Sequence, residues 1–347
     1  MDRKKHTANY DLPQDIIKNI LSRLPVKSLV RFKGVCKQWK DTISDPKFAE
    51  IHLQQSKNSS RSYLVESQKA NAFRRVVIEN NEFEERSALK YPSVLDYSES
   101  SALCHCDGLF LISRNRDWHT EYYVLWNPSS RTYKQLHYPY PVDCNPLLRS
   151  GICYDPLVKD YKVVLGDAEH YVVFCCKRNS WSETREMNNA CPVSDDDSEG
   201  VPFNGSIYWV SCSGLLCFNG RDETFKDLRN IRDCSADEAY LISSGNSLYI
   251  FTVYQPFSLR NEIVIMKRDG DDQAMAWMEF KVKLPFPYLY LKLLCSTQES
   301  CKIIVKSFPG INHLLYDDSK RCFIEILNSS GLGCSRLFPY LENLFLL

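Results

Sequence analysis

Fifteen cysteines and seven histidines among 347 residues are the side chains of this protein best suited to metal or nucleophilic chemistry. Their densest grouping is Cys104-His105-Cys106, which has the residue types of a zinc site. One-residue spacing lacks the longer loop that wraps a tetrahedral ion, and no second Cys or His pair follows at a useful distance. Strand alternation would send Cys104 and Cys106 to one face and His105 to the other, so no metal is expected there. Cys153, Cys175, Cys176, Cys212, Cys217, Cys295, Cys301 and Cys322 fall inside hydrophobic runs and read as buried small hydrophobes rather than a disulfide framework. Asp195, Asp197, Glu199 and Gly200 fit the first half of a calcium loop, yet the bidentate Glu position falls on Ser206 and no helices flank it. Gly-x-Ser-x-Gly, His-Glu-x-x-His, Gly-x-x-x-x-Gly-Lys and Cys-x-x-Cys are all missing, and the histidines are scattered. The chain is therefore expected to be non-catalytic and to need no cofactor.

The strongest pattern is apolar. Between Leu12 and Trp39, Ile16, Ile17, Ile20, Leu21 and Leu24 recur at helical spacing behind Pro13. Pro25 stops that helix, Val26, Leu29, Val30 and Phe32 form a second short apolar run, and Gly34 separates it from Val35, Cys36 and Trp39. So small a helical unit buries little of its surface and needs a partner, either the rest of the chain as a helical cap or a second protein. From Met1 to Lys57 twelve Lys or Arg stand against six Asp or Glu, in a chain whose 43 basic and 43 acidic residues cancel. These cations sit singly along short helices with few aromatics between them, which argues for an acidic protein partner and against nucleic acid. The first residues lack a signal-peptide core and no run is long enough to span a bilayer, so the expected location is the cytoplasm, the nucleus or both, with no membrane partner.

After Phe48 the composition changes. Residues 1–9 read as a leader, 10–50 as a helical domain, 51–60 as a polar linker and 61–347 as a mostly-β domain, an α+β multidomain arrangement. Twenty Tyr, seventeen Phe and six Trp suit pleated surfaces. Gly108, Gly151, Gly205 and Gly245, 43, 54 and 40 residues apart, are each expected in a turn that opens an apolar strand, and a strand near Cys301–Lys306 continues the series. A period of 40 to 50 residues with about four strands is what a propeller blade requires, and 61–347 holds about six. A β-sandwich or two stacked sheets is the alternative. The run from Leu337 to Leu341 offers a closing strand that Pro339 would confine to an edge.

Leu12-Pro13, Ile16, Ile20-Leu21, Leu24-Pro25-Val26-Lys27-Ser28-Leu29, Arg31-Phe32, Val35-Cys36-Lys37 and Trp39 together resemble the F-box in its plant form. Cys106-Asp107-Gly108-Leu109, Trp126-Asn127-Pro128-Ser129-Ser130-Arg131, Gly151–Pro156, Asp160–Val164, Asn179-Ser180-Trp181, Asn204–Trp209 and Pro339–Leu344 resemble the kelch-like F-box-associated interaction domain. The resemblance implies a substrate receptor of a Skp, cullin and RING ubiquitin ligase. Leu12, Pro13, Ile16, Ile17, Ile20, Leu21, Leu24, Pro25, Val26 and Leu29 would then serve adaptor docking, while Trp39 would hold the third helix. An unknown target protein would bind the β domain. Asp107-Gly108, Asn204-Gly205, Asn127-Pro128 and Asp155-Pro156 read as turns rather than ligand contacts. Recognition is sought in rim loops, with Trp118, Tyr122, Tyr138 and Tyr140 as aromatic candidates and the acidic loops Asp195–Glu199 and Asp269–Asp272 as steering elements for a basic target. Other functions open to this architecture are binding of a glycan or small molecule, and an adaptor-bound role without degradation.

Overall fold

Two prolines place the first helices. Pro13 and Pro25 sit at the N-caps of α1 (Gln14–Leu21) and α2 (Val26–Phe32) with extended backbones, where a missing N–H costs nothing. Helix α3 (Lys37–Ser44) starts at Cys36, whose Sγ accepts the Trp39 amide. A fourth helix, α4 (Pro46–Ser59), follows at once. The segment expected as a linker is thus helical through Ser59, and its polar residues are the ones that touch the next domain. The computed structural model describes residues 12–59, 62–67, 72–79, 82–95, 100–116, 119–139, 149–167, 169–187, 199–211, 214–229, 238–253, 260–270, 277–288, 290–296, 302–308, 312–326 and 337–345.

Beyond the helices the described chain forms six antiparallel sheets. The first contains β1 (Ser62–Ser67), β2 (Ala72–Glu79) and β3 (Glu82–Lys90). The second is β4 (Ser100–Cys106), β5 (Leu109–Arg116), β6 (His119–Asn127) and β7 (Thr132–Leu136). The third is β8 (Arg149–Asp155), β9 (Asp160–Gly166) and β10 (His170–Cys175), with β11 (Ser180–Trp181) and β12 (Arg185–Glu186) both pairing β10. The fourth is β13 (Val201–Phe203), β14 (Ser206–Ser211), β15 (Gly214–Asn219) and β16 (Thr224–Arg229). The fifth is β17 (Glu238–Ser244), β18 (Ser247–Val253), β19 (Arg260–Asp269) and β20 (Met278–Tyr288). The sixth is β21 (Tyr290–Ser296), β22 (Lys302–Phe308), β23 (Asn312–Asp317) and β24 (Cys322–Ile326). The last strand, β25 (Leu337–Pro339), returns to the first sheet and pairs with β1, Leu64 opposite Phe338. Pro339 lies on that edge strand, where no ladder hydrogen bond is lost on its outer side.

Core packing closes the ring. One apolar cluster joins sheets one and two through Phe73, Phe110, Trp126 and Phe338. Others join two to three, three to four, four to five and five to six. The last, with Tyr63, Val65, Ile304 and Leu315, joins six back to one. Six sheets packed face to face in a closed circuit are the blades of a β-propeller. Cys104 and Cys106 enter the cluster between blades two and three, while His105 lies against Phe110 and Phe338 on the other face, as alternation requires.

The glycine series needs one correction. Gly151 lies inside β8, not in a turn, because Ile207 and Trp209 press on that strand and a Cβ there would stand 2.7 Å from Ile207. The turn preceding β9 is instead 156–159, with Lys159 at φ 54°.

Candidate functional site

The wide apolar face of the first helix resolves into two stripes. Ile17, Leu21 and Leu24 turn inward with Val26, Leu29, Phe32, Trp39, Ile43 and Phe48 to form the core of the helical unit. Leu12, Ile16 and Ile20, spaced four residues apart, point outward and are 55%, 45% and 50% exposed. Leu21, Val26 and Leu29 were expected among docking residues; at 1% exposure or less they are core positions and are not available at the surface. Ile17 and Leu24 are half-buried, and Pro13 and Pro25 are exposed at the helix starts. Trp39 packs on Phe32 with ring centroids 5.3 Å apart, which ties α3 to α2. Val30, Val35 and Ile51 add further exposed apolar surface. Six of the ten exposed large hydrophobics among the described residues thus fall between Leu12 and Ile51, so exposed apolar side chains are concentrated on the helical unit.

The helical unit is fixed to one rim of the propeller. Lys57 pairs with Asp107 at 2.5 Å, and Glu50 pairs with Lys159 at 2.8 Å while accepting the Tyr154 hydroxyl at 3.1 Å. The Lys159 contact holds the Glu50 carboxyl below the ordinary glutamate value. Both pairs reach the turns that follow the innermost strands β4 and β8. After β25 the chain runs on into the junction. The Glu342 carboxylate accepts the Val26 amide at 2.6 Å, capping α2, whose own N-cap provides no side chain, and the Glu342 amide donates to Ser56 Oγ at 2.8 Å. Leu344 is buried in the helical core itself.

The motif turns converge on this C-terminal segment. Asn127 donates to the carbonyls of Asn343 and Phe345 at 3.0 and 2.8 Å, and Ser129 Oγ donates to the Leu341 carbonyl. Asn343 Nδ2 donates to the Asp107 carbonyl at 2.9 Å and to the Tyr161 hydroxyl at 3.0 Å. Burial pushes the Tyr161 hydroxyl well above the ordinary tyrosine value, so it stays protonated. Asp107 and Gly108, at φ 50° and 82°, form a two-residue hairpin of the twist-matched kind, and a Cβ on Gly108 would collide with the Leu341 carbonyl. Asn204 and Gly205 repeat that hairpin in blade four. Asp107, Gly108, Asn127 and Ser129 thus grip a segment of their own chain, which gives their two turns an architectural role.

The rim candidates are divided. Tyr122 and Tyr138 belong to the end of blade two opposite the helices, where β5 passes to β6 and β7 leaves toward β8. Both are half-buried: Tyr122 donates to the Val94 carbonyl at 2.7 Å and Tyr138 packs edge-on to Trp181 at 6.2 Å. Trp118, Tyr140 and Asp195–Asp197 lie outside the described residues, as do Asp271 and Asp272. Asp269 is described and accepts from Ser247 on the helix-side rim. Sequence reading missed the joining residues Glu50, Lys57, Lys159 and Glu342. It also noted only two of four related turns, in which an aromatic precedes Asn or Asp and the fourth residue beyond has positive φ: Trp126-Asn127 with Arg131, Tyr154-Asp155 with Lys159, Phe218-Asn219 with Glu223, and Tyr316-Asp317 with Arg321. Aligning aromatic-Asx pairs would have found all four.

Residues 10–50 match the F-box domain, and residues 47–308 match the F-box associated beta propeller domain. The chain belongs to the family of F-box proteins that carry this propeller. Its relatives include Arabidopsis thaliana chains described as F-box proteins. At3g16210 is 29% identical over 229 residues, covering 62% of this chain and 60% of that one. The F-box/kelch-repeat protein At3g23880 is 26% identical over 251 residues, covering 63% and 65%. A chain described as F-box only protein 9 is 24% identical over 340 residues, covering 88% and 86%. Among solved structures, Kuenenia stuttgartiensis hydrazine synthase aligns with 75% of this chain and 74% of its own at TM-score 0.46 and 8% identity, too slight a likeness to bear on function.

Proposed function

We propose that the protein is a substrate receptor of a Skp, cullin and RING ubiquitin ligase, acting in the cytoplasm, the nucleus or both. The observation that carries the proposal is the outward stripe of Leu12, Ile16 and Ile20 on a helical unit already filled by its own core. A stripe with no partner among the described residues suits docking of a second protein, and the basic residues around it suit an acidic adaptor. The propeller rim away from the helices would bind the target. The receptor performs no chemistry of its own in this scheme; it holds target lysines at high local concentration near a charged conjugating enzyme.

Co-purification with a Skp-type adaptor tests this. The intact chain should capture adaptor stoichiometrically, and Leu12→Asp, Ile16→Asp and Ile20→Asp together should abolish capture while leaving the far-ultraviolet spectrum of the β domain unchanged. Undiminished capture by the triple variant would overturn the assignment of this face.

A further inference from the structure

At the junction of helices and propeller lies an open cleft of about 190 Å³. Arg23 from the α1–α2 turn, His52 and Ser56 from α4, Arg75 from β2, and Tyr340 and Glu342 from the C-terminal segment line it. The charge is uneven. Two guanidinium groups face one carboxylate, and that carboxylate already accepts the Val26 amide. Neither arginine has a carboxylate partner among the described residues.

Two buried nitrogens also lack partners. Arg75 stacks over Tyr340 at 5.0 Å and donates Nη2 to Ser62 Oγ at 3.1 Å, but its Nε is buried and unmatched. His52 is 3% exposed; its Nε2 donates to the Leu24 carbonyl at 2.9 Å and its Nδ1 is buried without a partner. Guanidinium groups call for a multi-oxygen anion, which they bind in fork geometry. A cleft of about 190 Å³ accommodates a phosphate with a short attached group.

We propose that this cleft binds a small phosphate-bearing ligand, which joins the F-box to the propeller by contacting both and the C-terminal segment at once.

The test uses the full-length chain in complex with its adaptor, titrated with inorganic phosphate and with glycerol 2-phosphate at constant ionic strength, and read by calorimetry and thermal melting. A ligand specific to the folded state raises the melting temperature saturably with occupancy. Arg23→Gln should leave the ligand-free melting temperature unchanged while weakening phosphate about tenfold. Arg23→Gln with Arg75→Gln should abolish the heat of binding. Tighter binding of the ester than of free phosphate identifies an organic phosphate as the ligand, and equal affinity identifies the free ion. No saturable response to either probe, or an undiminished one in Arg23→Gln, overturns the proposal. Because capture is measured in the same samples, failure here is separable from failure of adaptor docking.

Discussion

Lys162 shows how individual residues hold this propeller together. It is buried between blades three and four, with Asp155 at 3.2 Å, Glu223 at 3.0 Å and the Gly220 carbonyl around its ammonium, and Arg185 reaches Glu223 at 2.8 Å from outside. Removing one member of such a group strands the rest, so Lys162→Met should cost about 3–5 kcal/mol in chemical denaturation. Burial alone would raise the Glu223 carboxyl, but the hydrogen bonds and charges of Lys162 and Arg185 outweigh it and hold the group below the ordinary glutamate value. A carboxyl lowered by folding contributes stability that is complete above its unfolded pKa and is lost as pH falls through the folded value. The difference in melting temperature between wild type and Glu223→Gln should therefore be largest at neutral pH and shrink on the acid side of about pH 4. A constant difference down to pH 3 would contradict the pairing. Gly108→Ala should destabilise by about 1–3 kcal/mol, since it combines a left-handed backbone with a collision. The turn role of Asp107-Gly108 was legible in the sequence because two-residue hairpins demand those types. The Lys162 group was not, because its members are up to 68 residues apart and only blade packing brings them together.

Among the elements, α4 departs most from what its sequence suggests. Its composition is that of a polar connector, and only Phe48 and His52 are buried within it. Its order comes from Glu50, Ser56 and Lys57, each meeting a group in the β domain or the C-terminal segment. Such contacts leave no periodic mark, whereas the apolar stripes of α1 are visible at once. Even there, spacing alone could not say which stripe faces inward; Leu21 and Ile20 differ by one position and by nearly half their exposed surface. Leu344 makes the helical core depend on the far end of the chain. Leu344→Ala should cost about 2–5 kcal/mol locally and separate melting into an early helical step and a later β step. A single transition at an unchanged temperature would mean that Leu344 is dispensable to the helices.

For the whole molecule, about six blades were readable because short apolar strands separated by turns recur with a period of about 40 to 50 residues, although of the four series glycines only Gly108, Gly205 and Gly245 lie in turns. The ring closure was only hinted at by the apolar run ending at Leu341, since pairing β1 with β25 joins residues from opposite ends of the sequence. Phe338→Ala removes a buried ring that touches Phe73 and Phe110, and should cost about 3–5 kcal/mol. Unlike Leu344→Ala, it should lower a single cooperative β transition and speed proteolysis of the first blade. The same closure bears on synthesis. While the ribosome is still making blades two to six, β1 has an unpaired inner edge, α2 lacks the Glu342 cap and the helical core lacks Leu344. Nascent chains therefore expose a sticky strand edge until β25 has been made. A message read only in part yields helices without Leu344, so all six blades and the segment through Leu344 must be made before the helical core is fully assembled.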